Sequence, residues 1–158
     1  MSLLVPVRLA LIATASIVLL SGASGAQASN SERQFTGQLS QTIAEVRTGK
    51  SPTLRRQAAE RLAELTRKPE AKKVDDTTVA ELVSLLDTPD DSVLYWVARG
   101  LGNLGPRATI AIPRLQKRLA EVDCLQGSKT SASGVRYALS QLGVPPSSPV
   151  CASSPEPQ

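Results

Sequence analysis

Apolar residues recur along the middle of the chain at intervals of three and four, the spacing of one face of a helix. Leu39, Ile43 and Val46 form one stripe; Val79, Leu82, Val83, Leu85 and Leu86 a second; Ile112, Leu115, Leu119 and Val122 a third. Three more stripes alternate with these: Ala58, Ala59, Leu62 and Leu65, then Val97, Ala98, Leu101 and Leu104, then Val135, Leu139 and Leu142. Breakers lie between them. Thr48–Pro52 and Asp87–Ser92 supply turns, and Ser92 or Asp91 is placed to cap the next helix by accepting from its free N–H groups. Gly105-Pro106 and Gly143-Val-Pro-Pro146 end helices as a C-terminal glycine followed by proline does, and Pro113 falls where a first turn tolerates it. No segment alternates at period two for long enough to make a strand. The pattern predicts an all-α fold.

The six stripes are one pair written three times. Arg56–Leu65 laid over Tyr95–Leu104 brings Ala58 onto Val97, Ala59 onto Ala98, Leu62 onto Leu101 and Leu65 onto Leu104, an offset of 39 residues. A further shift of 38 brings Val135, Leu139, Leu142 and Gly143 under Val97, Leu101, Leu104 and Gly105. A period near 40 is that of helix-pair repeats. In the central copy, Val79-x-x-Leu82 leads into Leu85-Leu86 and a Pro-Asp-Asp turn. There follow Ala98-x-x-Leu101-Gly102-x-Leu104-Gly105 and Ala108-x-x-Ala111-x-Pro113-x-Leu115. This resembles a HEAT repeat, in the bacterial HEAT-like form first noted in phycobilisome lyases. The pattern is complete over Thr78–Leu119, partial over Ser131–Gly143 and thinnest over Phe35–Leu65, which lacks the glycines as a capping repeat does. The resemblance implies a short α-solenoid of about three HEAT-like helix-pair repeats spanning 35–144, in a family whose common habit is binding other proteins. Three such pairs suffice to bury one another's apolar faces. Ala59, Ala98, Gly100 and Ala138, beside the core stripe, let the second helices approach closely.

The two ends are of different character. Arg8 is the one charged side chain before Glu32, and it precedes an apolar run, Leu9–Leu20, of about 12 residues. That is the length of a signal-peptide core and too short to span a bilayer. Ala26-Gln27-Ala28 then fits a cleavage site. The expectation is a signal peptide at 1–28, a flexible start at 29–34, and a periplasmic or secreted mature protein with no membrane span. The other end, 145–158, is a Pro/Ser-rich tail. In an exported chain the two cysteines, Cys124 and Cys151, read as a disulfide tying that tail down. Closing a loop of about 27 residues is worth roughly 3–4 kcal/mol in the chain-entropy model. The alternative is a reactive thiol, for which the sequence offers no Cys-x-x-Cys and no activating histidine.

Composition narrows the chemistry. The chain has no histidine, which removes Ser-His-Asp and Cys-His catalysis and histidine-ligated metals. Two cysteines cannot hold a thiolate zinc site or an iron–sulfur cluster within one chain. The formal charge is +4, with basic residues concentrated between Arg47 and Lys73. Glu60, Glu64 and Glu70 interleave with them, so this is a solvated face with i,i+4 pairs rather than a nucleic-acid stripe. Asp75-Asp76 and Asp90-Asp91 lie beside turns, where aspartate caps helices, and Asp87-x-x-Asp90-Asp91 lacks the glycine of a calcium loop. No enzyme, cofactor or metal is expected.

Binding is expected on the second helices, which the resemblance places along the concave surface of the stack. With Ala58, Leu62 and Leu65 inward, the helical angle turns Arg56, Glu60 and Glu64 outward. Their equivalents are Tyr95, Arg99 and Asn103, then Ser133, Tyr137 and Gln141, a ladder rich in the residue types that interfaces favour. Trp96 reads as core at the seam between helices. The ladder can equally be ordinary surface. The reading is a monomeric, non-catalytic protein-binding scaffold of the cell envelope, an adaptor or inhibitor of an envelope protein. The alternative is a lyase-type or cofactor-handling protein built on the same repeats.

Overall fold

The computed structural model describes residues 23–122 and 130–145, with side chains from residue 30 onward. The leader run, most of the insertion around Cys124, and the tail with Cys151 lie outside the described residues. Six α-helices are described: α1 Ala23–Thr48, α2 Pro52–Leu65, α3 Asp76–Ser84, α4 Asp91–Leu104, α5 Ile112–Val122 and α6 Ser131–Gln141. Short 3₁₀ segments at Pro69–Lys73, Leu85–Asp87 and Gly105–Ala111 link them, and no strand occurs among the described residues.

Local chemistry sets the helix ends. Ser51 accepts from the Leu54 N–H with Pro52 in the first turn of α2, and Asp75 accepts from the Thr78 N–H at 2.8 Å to start α3. At α4 the cap is Asp90, one position before the expected Asp91 or Ser92. Asp90 is extended (φ −83°, ψ 114°), and its Oδ1 receives the N–H groups of Ser92 and Val93 at 3.0 and 3.1 Å. Asp91 is already helical, and its carboxylate accepts the Ser131 hydroxyl of the next repeat. Gly105 and Gly143 follow α4 and α6 at φ +57° and +78°, a conformation that costs glycine nothing.

The stretch 29–34, expected as a flexible start, falls within the described residues. It is helical and continuous with α1. It contains neither Gly nor Pro, the Thr36 hydroxyl bonds the Glu32 carbonyl at 2.9 Å, and Lys73 pairs with Glu32.

The apolar stripes meet in one core. Leu39, Ile43, Leu62, Leu82, Leu86, Leu101, Leu115 and Leu139 are fully buried, joined by Leu94 and Val93, which the stripes did not include. Leu65, Ile112, Val122 and Leu142 are half-buried and pack on the core from its rim. The second helices make a continuous layer in the order α2, α4, α6, with α4 packed extensively on both neighbours. α1 and α5 back α2 and α6, while α3 packs on α4 and on the 3₁₀ segment Gly105–Ala111.

Small residues draw the layer together. A Cβ on Gly134 would stand 2.7 Å from the Tyr95 carbonyl oxygen, and one on Gly102 would stand 3.0 Å from the Ala138 Cα. Gly100 lies against Ala63 and Thr66. Neighbouring repeats are also linked by arginines. Arg107 bonds the Val74 carbonyl and Asp76, Arg114 grips Asp87 with two N–H groups, and Arg118 donates to the Thr88 carbonyl at 3.1 Å. The basic segment likewise pairs across helices, Arg61 with Glu45 on α1 and Lys73 with Glu32. Its one ion pair within a helix region is Arg67–Glu64, at i,i+3 and 4.0 Å rather than at the i,i+4 expected.

Candidate functional site

Position and packing select one cluster on the outer side of the second-helix layer. Residue 99 falls on the side of α4 opposite its apolar stripe, so Arg99 emerges between α4 and α6 and is half-buried. Its guanidinium carbon lies 4.2 Å from the centroid of the Tyr137 ring and 5.6 Å from that of Tyr95. Both rings offer their electron-rich faces to the cation. The Tyr95 hydroxyl is 3.5 Å from Nη1, and Nε is buried without an acceptor. No carboxylate among the described residues pairs with Arg99.

One turn along α4, Asn103 joins the three second helices. It receives the Tyr137 hydroxyl at its Oδ1 (2.8 Å) and donates from Nδ2 to the Ala63 carbonyl at the end of α2 (2.9 Å). The same amide lies 3.4 Å from the Thr66 hydroxyl oxygen, and Thr66, buried, donates to the Ala63 carbonyl. Every member is tied on more than one side, so the network holds Tyr137, and the cation stacked on it, in one place.

Three of the expected ladder residues, Arg99, Asn103 and Tyr137, therefore meet directly. Tyr95 does not share the surface. It is 7% exposed, because Gly134 brings the α6 backbone onto its main chain, and it supports Arg99 from beneath. Trp96 stands edge-on to Tyr95 (4.8 Å, 77°) and is half-buried, packed against the core as its place at the seam implied. Glu60 and Glu64 are exposed and line a separate groove of about 800 Å³ between α1 and α2, with Gln38, Gln41, Thr42 and Gln57. Arg56 on α2 and Gln141 on α6 are exposed, and Ser133 is half-buried. Sequence reasoning did not find Thr66 or Gly134. A glycine in the interior of a helix was the signal for the second, since it weakens the helix unless close packing requires it; nothing in the pattern marked Thr66.

Asp75 and Asp87 serve the scaffold. The Thr78 N–H and hydroxyl hold the Asp75 carboxyl below the usual carboxylate range, and the Arg114 hydrogen bonds do the same for Asp87. No group of three His, Cys, Asp or Glu side chains that could hold a metal is gathered among the described residues. What the cluster supplies is a fixed cation, a phenol and an amide, which are groups for recognition.

Comparison with known proteins bears on the repeats. Residues 39–124 match a family profile described as HEAT repeats, which covers more than half of the chain. No curated protein and no solved structure gives a significant match.

Proposed function

The chain belongs to the HEAT-repeat family, and from that premise we propose that it is a non-catalytic scaffold of the cell envelope that binds a partner protein on the outer face of α2, α4 and α6. HEAT repeats commonly serve as protein-interaction scaffolds and are generally non-catalytic. The observation that carries the choice of face is the stacked Arg99–Tyr137 pair, fixed by Asn103 and left without a carboxylate. Tyrosine and arginine held in this way have little side-chain freedom to lose on binding, which is what makes such residues interface anchors.

The envelope assignment rests on the leader pattern at 1–28. Within the envelope the protein acts as an adaptor or an inhibitor, with Cys124 and Cys151 bridged. Photo-crosslinking side chains placed at Glu60 and at Gln141 in living cells test the face, with Lys117 on α5 as the control. One dominant protein adduct from the first two positions and none from Lys117 is the expected result. Adducts that are diffuse, or equal at all three, would reject it. Intact mass of the same material tests export and the bridge: a chain beginning at Ser29, about two daltons below its reduced mass, since a disulfide removes two hydrogens.

A further inference from the structure

We infer that Arg99 is an anchor for an acidic segment of the partner, taking one Asp or Glu carboxylate end-on through its Nη groups. This deepens the scaffold reading and rests on it. A cation brought partly out of water is normally matched by an anion. The cations of Arg61, Lys73, Arg107, Arg114 and Arg118 each have a carboxylate, whereas Arg99 has two aromatic rings and one distant phenol oxygen.

The buried Nε closes the side-on approach to the guanidinium and leaves the Nη end of the fork. The two helices that enclose Arg99 set little negative charge against an anion there. α6 contains no acidic residue, and the single acid of α4, Asp91, lies two turns away and already accepts the Ser131 hydroxyl. The Tyr137 ring on which Arg99 rests is fixed by Asn103, so the geometry that a carboxylate requires exists before it arrives.

The test is a titration of the full chain with an end-capped hexaglutamate peptide, following arginine side-chain and tyrosine ring resonances by NMR. The Arg99 and Tyr137 signals should shift together and saturably, while end-capped hexalysine moves neither. Arg99→Gln should weaken peptide binding at least tenfold. Arg67→Gln, which removes the same charge from an exposed site, should weaken it less than twofold. Arg99→Lys, keeping the charge but not the planar fork, should weaken it several-fold. Equal losses from Arg67→Gln and Arg99→Gln would overturn the anchor in favour of diffuse attraction, and equal displacement of the Arg99 signal by inorganic phosphate would overturn its preference for carboxylate. If circular dichroism shows Arg99→Gln to be unfolded, the wild-type shifts and Arg99→Lys decide. Crosslinks from Glu60 and Gln141 that persist undiminished in Arg99→Gln would remove the anchor and leave the scaffold. Their absence in wild type would remove the scaffold reading, while the titration still judges Arg99.

Discussion

Gly134 carries an intrinsic penalty of about 1 kcal/mol relative to alanine in a helix interior, and α6 keeps it because of Tyr95. The atoms nearest to an added Cβ are backbone, the Tyr95 carbonyl oxygen at 2.7 Å and its Cα at 2.9 Å, which cannot rotate away. Gly37 in α1 is the opposite case, exposed and with nothing within 4 Å. Gly134→Ala is therefore expected to destabilise the fold by about 1–3 kcal/mol through overpacking. Gly37→Ala should stabilise it by about 0.5–1 kcal/mol, both read by denaturant unfolding. Equal effects of the two would mean that α4 and α6 do not meet at backbone contact. The same contact explains why Tyr95, outward by helical angle, is covered. A one-dimensional pattern carries the angle of a side chain but not the distance to the neighbouring helix.

At the scale of elements, the helix starts depend on carboxylates. Asp75 holds the first turn of α3, and Asp87 holds α5 through Arg114. Their folded-state pKa values lie below their unfolded ones, so each contributes stability in full above the unfolded carboxylate range. That contribution is lost as pH falls through the folded values, because the unfolded chain takes up protons first. Unfolding free energy measured from pH 6 down to pH 2 should fall on an acid limb. Asp75→Asn, which retains an oxygen to accept from the Thr78 N–H, should make that limb shallower while the cap persists. An unchanged slope would show that the limb arises elsewhere. Most helix ends were legible in the chain: Ser51-Pro52, Asp75, Gly105 and Gly143 each stand where the structure uses them. The cap of α4 was not, because Asp90, Asp91 and Ser92 are three adjacent candidates and only the backbone angle at residue 90 separates them.

The molecule as a whole is organised around α4, which packs on both neighbouring second helices. Leu101, 1% exposed at its centre, should cost about 2–5 kcal/mol when replaced by alanine. Unfolding of that variant should remain a single transition, with Trp96 fluorescence, which reports α4, coinciding with far-UV circular dichroism, which reports all helices. Two separated transitions would show that the repeats unfold independently. The arginine links between repeats lie largely at the surface, where ion pairs contribute little, so the central helix and its glycines dominate cohesion.

The spacing of apolar residues alone determined the helices, their pairing and the threefold repetition near 40 residues, because a face that must be buried imposes its period directly on the chain. It also placed Arg99 and Tyr137 at equivalent positions on successive repeats, with Asn103 one turn beyond Arg99 on α4. Only the tertiary structure decided which of the outward residues act together. Asn103 reaches the Ala63 carbonyl 40 positions earlier and receives the Tyr137 hydroxyl 34 positions later. Arg99 takes its place on the Tyr137 ring because Gly102 and Gly134 let α4 and α6 touch. Such contacts depend on distances between helices that are close in space and far apart in sequence, and helical periodicity holds no record of them.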